Sequence, residues 1–416
     1  MKNKLLIILC ILVSLVGVSC GMNVSKAYYK NESPVVSIIY MKDFTGGTLS
    51  EVEEFALKNK LILEVHYEYS FDILKDRVIH QSIEDGNEIY EEDRLEVIIS
   101  KGEVPVSVYQ EYHVNELGSV PIMMYHGIVD IPSSETKYTG GNVDRDGYNR
   151  TAEAFRGDLE FYYQNGYRMI ALDDYVDGKV NVELGSSPII LTFDDGNQNN
   201  FKVLGEENGE LIIDPNCAVG ILEEYKKKYP DYGVTATFFV NGGLFEQEIY
   251  NEKIIKWLIE HGYDVGNHTK THVDFTKVGY ERSREEVGFV YHLLGQIIPN
   301  DYVSIVALPF GSPYKLTHEN YSAILNSSYL GVEYQTKAAL RVGWEAEKSC
   351  FDKEFQPTFL KRIRAYDNNG KDFDIEMNFK MLESKRYISD GDINTIVVPK
   401  NSVNYVVNTE KKLISY

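Results

Sequence analysis

Ile189-Ile190-Leu191-Thr192-Phe193-Asp194-Asp195-Gly196 is the stretch on which the reading of this chain turns. A short apolar run rich in β-branched and aromatic residues reads as a strand buried on both faces, the kind that fills parallel sheets. Two carboxylates end it and glycine follows at once. In parallel α/β folds the carboxyl ends of strands are where ligands and catalytic groups gather. A surface Asp-Gly turn accounts for Gly196, but not for two acids at that edge.

Working outward, similar apolar runs lie at 120–125, 169–172, 235–240, 263–266 and 303–308. Between them, residues 155–165, 219–229, 253–260 and 283–298 carry apolar side chains at helical spacing. Alternation of this kind predicts a parallel α/β architecture. Another strand-like run, 263–266, leads into Asn267-His268-Thr269-Lys270-Thr271-His272. Two imidazoles four residues apart can point the same way from a helical or tight-loop turn, as metal sites require. One Asp and two His make a three-ligand set with positions left open for water and substrate, which is the pattern of a catalytic zinc. Such a metal acidifies its bound water and polarises a carbonyl, and the second Asp is then free to act as base. Cobalt or nickel would accept the same donors.

These motifs resemble the polysaccharide deacetylases of carbohydrate esterase family 4. Thr192-Phe193-Asp194-Asp195-Gly196 is similar to the first family motif and His268-Thr-Lys-Thr-His272 to the second. Pro121-Ile-Met-Met-Tyr125-His126, Asn165-Gly166-Tyr167-Arg168 and Gly266-Asn267 extend the resemblance, which runs from about Val120 to about Ala365. It implies a distorted (β/α) barrel, Asp194 as catalytic base, and Asp195, His268 and His272 as metal ligands. Two features depart from the family pattern. The third motif reads Ala307-Leu308-Pro309-Phe310-Gly311, without the Arg that orients the base, so Arg362 or Arg364 is expected to supply the guanidinium. The Phe310 backbone amide can still serve an oxyanion, which needs geometry rather than a side chain. No His follows His318, so the usual C-terminal acid is missing. His126, at the end of the first strand, is the candidate acid in its place. A first strand ending Met-Tyr-His and a third motif beginning with Ala resemble the branch that deacetylates poly-β-1,6-N-acetylglucosamine, where that His is placed as acid.

The rest of the chain supplies context. Lys2 and Lys4 precede an apolar run from Leu5 to Val18 that ends in Gly17-Val18-Ser19-Cys20. Residues 1–20 therefore read as a signal peptide with a lipobox, and an ordinary signal peptide cleaved near Ala27 is the alternative. Residues 34–103 read as a small α+β unit: Thr48-Leu49-Ser50-Glu51 is a capping box, followed by strand candidates. Gly47-Thr48-Leu49, Arg77-Val78-Ile79-x-Gln81-Ser82, Gly86 and Val97-Ile98-Ile99-Ser100-Lys101-Gly102 resemble a PASTA domain, which implies either a cell-wall binder or a spacer. The deacetylase-like body is expected over 117–375. Residues 376–416, read as polar and strand-like, have no assigned role.

With 63 acidic against 42 basic residues, the net charge is −21. That balance argues against a nucleic-acid partner and means that membrane attachment needs a lipid anchor. Cys217 and Cys350 are the cysteines of the body, and nothing in the sequence places them within bridging distance. His261 reads as a helix cap, His292 and Trp257 as structural, and Trp344 as core or as the lining of a sugar groove. The leading reading is a metal-dependent, extracytoplasmic deacetylase of an N-acetylglucosamine polymer, either peptidoglycan or a poly-β-1,6-linked surface polysaccharide. The alternative is a non-catalytic wall-binding lipoprotein with a decayed deacetylase domain, and O-acetyl xylan would be a different ester substrate for the same metal site.

Overall fold

The computed structural model describes residues 38–416, so the signal peptide and lipobox lie outside the described residues. Chain contacts divide at Val104/Pro105 into two compact units.

The first unit packs helix α1 (Leu49–Asn59) on a sheet of β1 (Ile62–Glu68), β2 (Val78–Gln81) and β3 (Arg94–Ser100). β3 is central, parallel to β1 and antiparallel to β2. The capping box forms as read: the Thr48 side chain accepts from the Glu51 N–H, and Glu51 Oε2 accepts from the Thr48 N–H at 2.6 Å. Gln81 shows what its motif is for. Its amide bridges the Phe44 N–H and the Lys42 and Ile83 carbonyls, tying the entering chain to the sheet. Val52, Val78, Leu95, Val97 and Ile99 form the core.

The second unit is built on β4 (Ile122–Tyr125), β5 (Tyr167–Met169), β6 (Ser187–Phe193), β7 (Thr237–Val240), β8 (Asp264–Asn267), β9 (Ile305–Ala307), β10 (Ala338–Leu340) and β11 (Ile363–Arg364). They form one parallel sheet in the order β10-β9-β8-β7-β6-β4-β11, with β5 alongside β6. The sheet curls until its ends meet: Leu340 bridges Leu360, the Arg341 N–H donates to the Leu360 carbonyl at 2.8 Å, and β11 follows at once. This is the distorted parallel barrel expected.

Side-chain alternation divides the core in two. Met123, Tyr125, Ile189, Leu191, Phe193, Phe238, Val265 and Ile363 face outward, under helices that include α2 (Ala152–Gln164), α3 (Ala218–Lys228) and α4 (Asn251–Glu260). Ile122, Ile190, Phe239, Ile305, Ala307, Ala338 and Leu340 face inward and fill the barrel. Gly266 belongs to the inner row, where an added Cβ would stand 2.5 Å from the Phe239 ring. The long helix α5 (Tyr280–Ile297) packs on the β8–β9 side.

Three expectations change. Residues 169–172 do not form a strand. β5 ends at Met169, and Leu172–Val176 is a helical turn, because the apolar Ile170 and Leu172 are demanded by the barrel core rather than by a strand. The tail is not all strand: it opens with helix α6 (Ile375–Leu382), which buries Phe379 and Leu382. It continues as the parallel pair β12 (Thr395–Val398) and β13 (Lys412–Ser415), and Ile396, Val398 and Val406 join the inner barrel cluster. Thus residues 376–416 cap the barrel core. Trp344 is not core; it is 59% exposed. Trp257 packs against the outer core and stacks on His261, whose Nδ1 lies 2.8 Å from the Trp257 carbonyl at the end of α4. Cys217 and Cys350 are free thiols packed against different core clusters, and Cys217 caps α3. Among the described residues no helix is long and apolar enough to cross a membrane.

Candidate active site

The sequence-selected site residues other than Arg362 sit beyond the carboxyl ends of strands. His126 follows β4, Asp194 and Asp195 follow β6, His268 follows β8, Phe310 follows β9, and Arg362 immediately precedes β11. Alternation explains their common direction. Ile190, Thr192 and Asp194 share the inner face of β6, and Arg362 and Arg364 share one face while Ile363 takes the other.

Asp194 is buried and held by Arg362, itself fully buried. Two parallel bonds of 2.7 Å run from Nη1 to Oδ1 and from Nη2 to Oδ2. Nη1 also donates to Thr192 Oγ1 at 3.1 Å, and Nε to the Arg341 carbonyl at 2.9 Å. This fork–fork geometry is the strongest neutralised arrangement a carboxylate can have. Burial would push the Asp194 carboxyl up, but the Arg362 charge, then His268, overcome it and hold the group well below the usual carboxylate range. Of the two arginines considered, Arg362 makes this pair. Arg364 stacks on the Tyr366 ring instead.

Asp195 turns away from its neighbour. Its φ is 76°, in the left-handed region, and Gly196 follows at 64° with no room for a Cβ, which would meet the Leu244 carbonyl at 2.3 Å. Left-handed backbone is uncommon outside glycine and gathers at functional sites. The turn aims the Asp195 carboxylate at two imidazoles: Oδ1 is 3.2 Å from His268 Nε2 and 3.5 Å from His272 Nε2. The Asn241 side chain fixes the turn by donating to the Asp195 carbonyl.

The two histidines come from a tight loop, not a helix, with left-handed Thr269 and His272. Asn267 accepts from the Thr269 N–H, and buried Glu286 on α5 accepts from both the backbone and the hydroxyl of Thr271. Sequence reading missed Glu286. A buried acid inside a helix whose partner lies fifteen residues earlier leaves no local signal. His268 Nδ1 lies 2.8 Å from the Ala307 carbonyl, which fixes the tautomer and turns Nε2 toward Asp195. That buried Nε2 makes no hydrogen bond despite its short approach to the carboxylate. One donor atom from each of Asp195, His268 and His272 lies within 4.8 Å of the others. An orphaned ring nitrogen, a second imidazole and a carboxylate on one point are a donor set that fits a divalent cation.

His126 is half-buried, with its Nδ1 enclosed and unpartnered and its ring edge-on to Tyr148 at 4.8 Å. Burial pushes its pKa down, against the pull of the Asp194 and Asp195 carboxylates. Phe310 adopts φ 58°, its ring lies 4.7 Å from His272, and its side chain is exposed. Trp344, in the segment after β10, is a second exposed aromatic ring.

Residues 181–327 match the polysaccharide deacetylase family model, and residues 39–101 match that of the PASTA domain. The middle of the barrel carries polysaccharide deacetylase sequence. The matched span contains Asp194, Asp195, His268, His272 and Phe310, and leaves out His126 and Arg362. Among solved structures the chain is similar to the Streptococcus pyogenes deacetylase PplD in complex with acetate, at 19% identity over 62% of this chain and 97% of that one, with a TM-score of 0.45. A de-N-acetylase from Aggregatibacter actinomycetemcomitans matches at 10% identity over 58% and 93%, with a TM-score of 0.36. The extracellular region of the Ser/Thr kinase PrkC from Staphylococcus aureus matches at 28% identity over 16% of this chain and 24% of that one, with a TM-score of 0.15. On the two family matches, the chain is a hydrolase of the deacetylase type with a PASTA domain at its amino-terminal side.

Proposed function

We propose that this deacetylase removes N-acetyl groups from an N-acetylglucosamine-containing cell-wall or surface polysaccharide, outside the cytoplasm, with a divalent metal ion held by Asp195, His268 and His272. The observation that carries the reading is the juxtaposition of that donor set with the Asp194–Arg362 pair at one barrel mouth. Zinc is the metal best suited to one carboxylate and two imidazoles, with cobalt or nickel as substitutes, and when bound it would supply a polarised carbonyl and an acidified water. Asp194, kept ionised by Arg362, accepts the proton of the attacking water. The Phe310 N–H is offered to the oxyanion of the tetrahedral intermediate. An amide nitrogen leaves only when protonated, and His126, half-buried after the first barrel strand, is our candidate to give that proton. Desolvation lowers the ring's pKa, so His126 acts as a relay: the proton that Asp194 takes from the water passes to the imidazole and from it to the departing nitrogen. Phe310, beside His272, is the ring on which a sugar face rests.

The decayed, non-catalytic reading drew its force from the missing Arg of the third motif and the missing C-terminal His; the Arg362–Asp194 pair answers the first, and the second turns on the role of His126. The PASTA domain is consistent with a wall-bound substrate, and a lipid anchor at Cys20 would hold the enzyme at the membrane. The test is acetate release from chitin oligomers, peptidoglycan and β-1,6-linked N-acetylglucosamine oligomers, with and without chelator. The expected result is chelator-sensitive release from at least one. Release that survives complete metal removal would overturn the mechanism.

A further inference from the structure

We propose that Arg364 is a specificity-determining residue that receives an anionic substituent of the polymer, a carboxylate or a phosphate, on the sugar beside the one being deacetylated. The proposal rests on the deacetylase reading above. Arg364 follows Arg362 by two residues and points from the same face of β11, about 7 Å farther toward the rim by strand rise. Arg362 is committed to Asp194. Arg364 has no carboxylate within ion-pair distance among the described residues, in a chain where acids outnumber bases 63 to 42.

Its surroundings are built rather than incidental. The guanidinium lies 4.0 Å from the Tyr366 ring centroid and 5.5 Å from that of Tyr148. Stacking of this kind fixes the guanidinium plane and leaves its N–H edge free for an oxyanion. Tyr148 is held in turn. The Asp144 carboxylate accepts from the Asp146, Tyr148 and Asn149 backbone N–H groups and from the Asn149 side chain. Gly147, at φ 67°, lets this loop press on Tyr366, where a Cβ would come within 2.3 Å of the tyrosine Cβ. The other neighbour of Tyr148 is His126. A fixed, half-exposed and unpaired cation therefore stands one ring away from the proposed acid and beyond the base, over the neighbouring sugar rather than the reacting acetamide.

The experiment compares full-length wild type with Arg364→Met and Arg364→Lys on three N-acetylglucosamine oligomers of equal length: one neutral, one carrying lactyl carboxylates, one carrying phosphate. The ratio of kcat/KM for an anionic over the neutral oligomer should fall roughly 10–100-fold in Arg364→Met, through KM, as expected for one lost charge-assisted bond. Lysine should restore part of it, and the wild-type preference should weaken with salt. The two anionic arms decide between carboxylate and phosphate. An unchanged ratio, or a wild type that prefers the neutral oligomer, overturns the assignment. If wild type releases no acetate from any oligomer, the deacetylase reading fails separately. Calorimetric binding of the same oligomers then decides on Arg364, with equal affinities for wild type and Arg364→Met refuting it.

Discussion

Replacing Arg362 by methionine keeps a long apolar stem and removes four hydrogen bonds: two to Asp194, one to Thr192 and one to the Arg341 carbonyl. Asp194 would then be a buried carboxylate without a counter-charge. Breaking a buried pair from one side costs about 3–5 kcal/mol, most of it the penalty on the charge left behind. For a body of this size that corresponds to a fall in Tm on the order of 10 °C. Asp194→Asn in the same background removes the stranded charge, so the double variant should recover part of the loss, with a coupling of about 1–3 kcal/mol in a double-mutant cycle. The pH dependence carries the same signature. In wild type Asp194 has a depressed pKa, so its contribution is present above the ordinary carboxylate range and is lost only as pH falls below it. In Arg362→Met the largest opposition to burial is gone and only the nearby imidazoles remain, so the carboxyl moves up and the loss should begin at higher pH. Activity should fall by roughly 10²–10⁴-fold, as for a general base that has lost its orientation and charge. Denaturant unfolding of the four proteins and acetate release across pH are the assays. Additive stabilities in the cycle, with an unmoved acid limb, would refute the reasoning.

Asp194→Asn should retain the metal ion while losing turnover, whereas Asp195→Ala and His268→Ala should lose metal affinity; metal content after gel filtration separates them, and the reverse pattern would exchange the roles of the two acids. His126→Ala should keep the metal and lose most N-deacetylation, and normal turnover in that variant would eliminate it as the acid. Asp264, half-buried at the start of β8 near Asp173 and Asp174, has its pKa raised from 3.8 to about 7 by desolvation, then by those charges. The folded chain then binds this proton more tightly than the unfolded one, so the contribution is full below about pH 4 and is lost as pH rises through about 7, at most about 4 kcal/mol. Asp264→Asn should flatten the stability difference between those pH values, and a parallel pair of curves would show that the carboxyl is not protonated in the folded state.

The strands that frame the site were legible because barrel strands announce themselves. Ser187–Phe193 is buried at every position, and no helix pattern fits so short an apolar run. The amphipathic helices were legible for the complementary reason. Segments that answer to the barrel interior were not. Ile170 and Leu172 read as a strand because they are apolar, yet they fill the barrel from a loop and a helical turn. The tail, read as strand-like, hides a helix and a barrel cap because its apolar residues are spaced for a surface that only the folded barrel creates. Trp344 read most simply as core, since nothing local distinguishes a ring that packs inside from one left exposed.

The same distinction explains why the site was only partly legible. Asp194, Asp195, His268 and His272 are local pairs on single loops, so their spacing carries the signal. The guanidinium is different. Chemistry requires a positive charge at one point beside Asp194, and curling the sheet brings β11 to the seam beside β10, where Arg362 also bonds the Arg341 carbonyl. A cation can reach that point from the end of β9, where this chain has Ala307, or across the seam, where it has Arg362. The sequence shows the vacancy at the first position, but filling it from the second depends on barrel closure, which no motif encodes. Barrel closure also decides Arg364: once the residue two positions before it is bound to Asp194, alternation sends Arg364 to the same mouth, where two tyrosines hold it with its N–H edge unpaired.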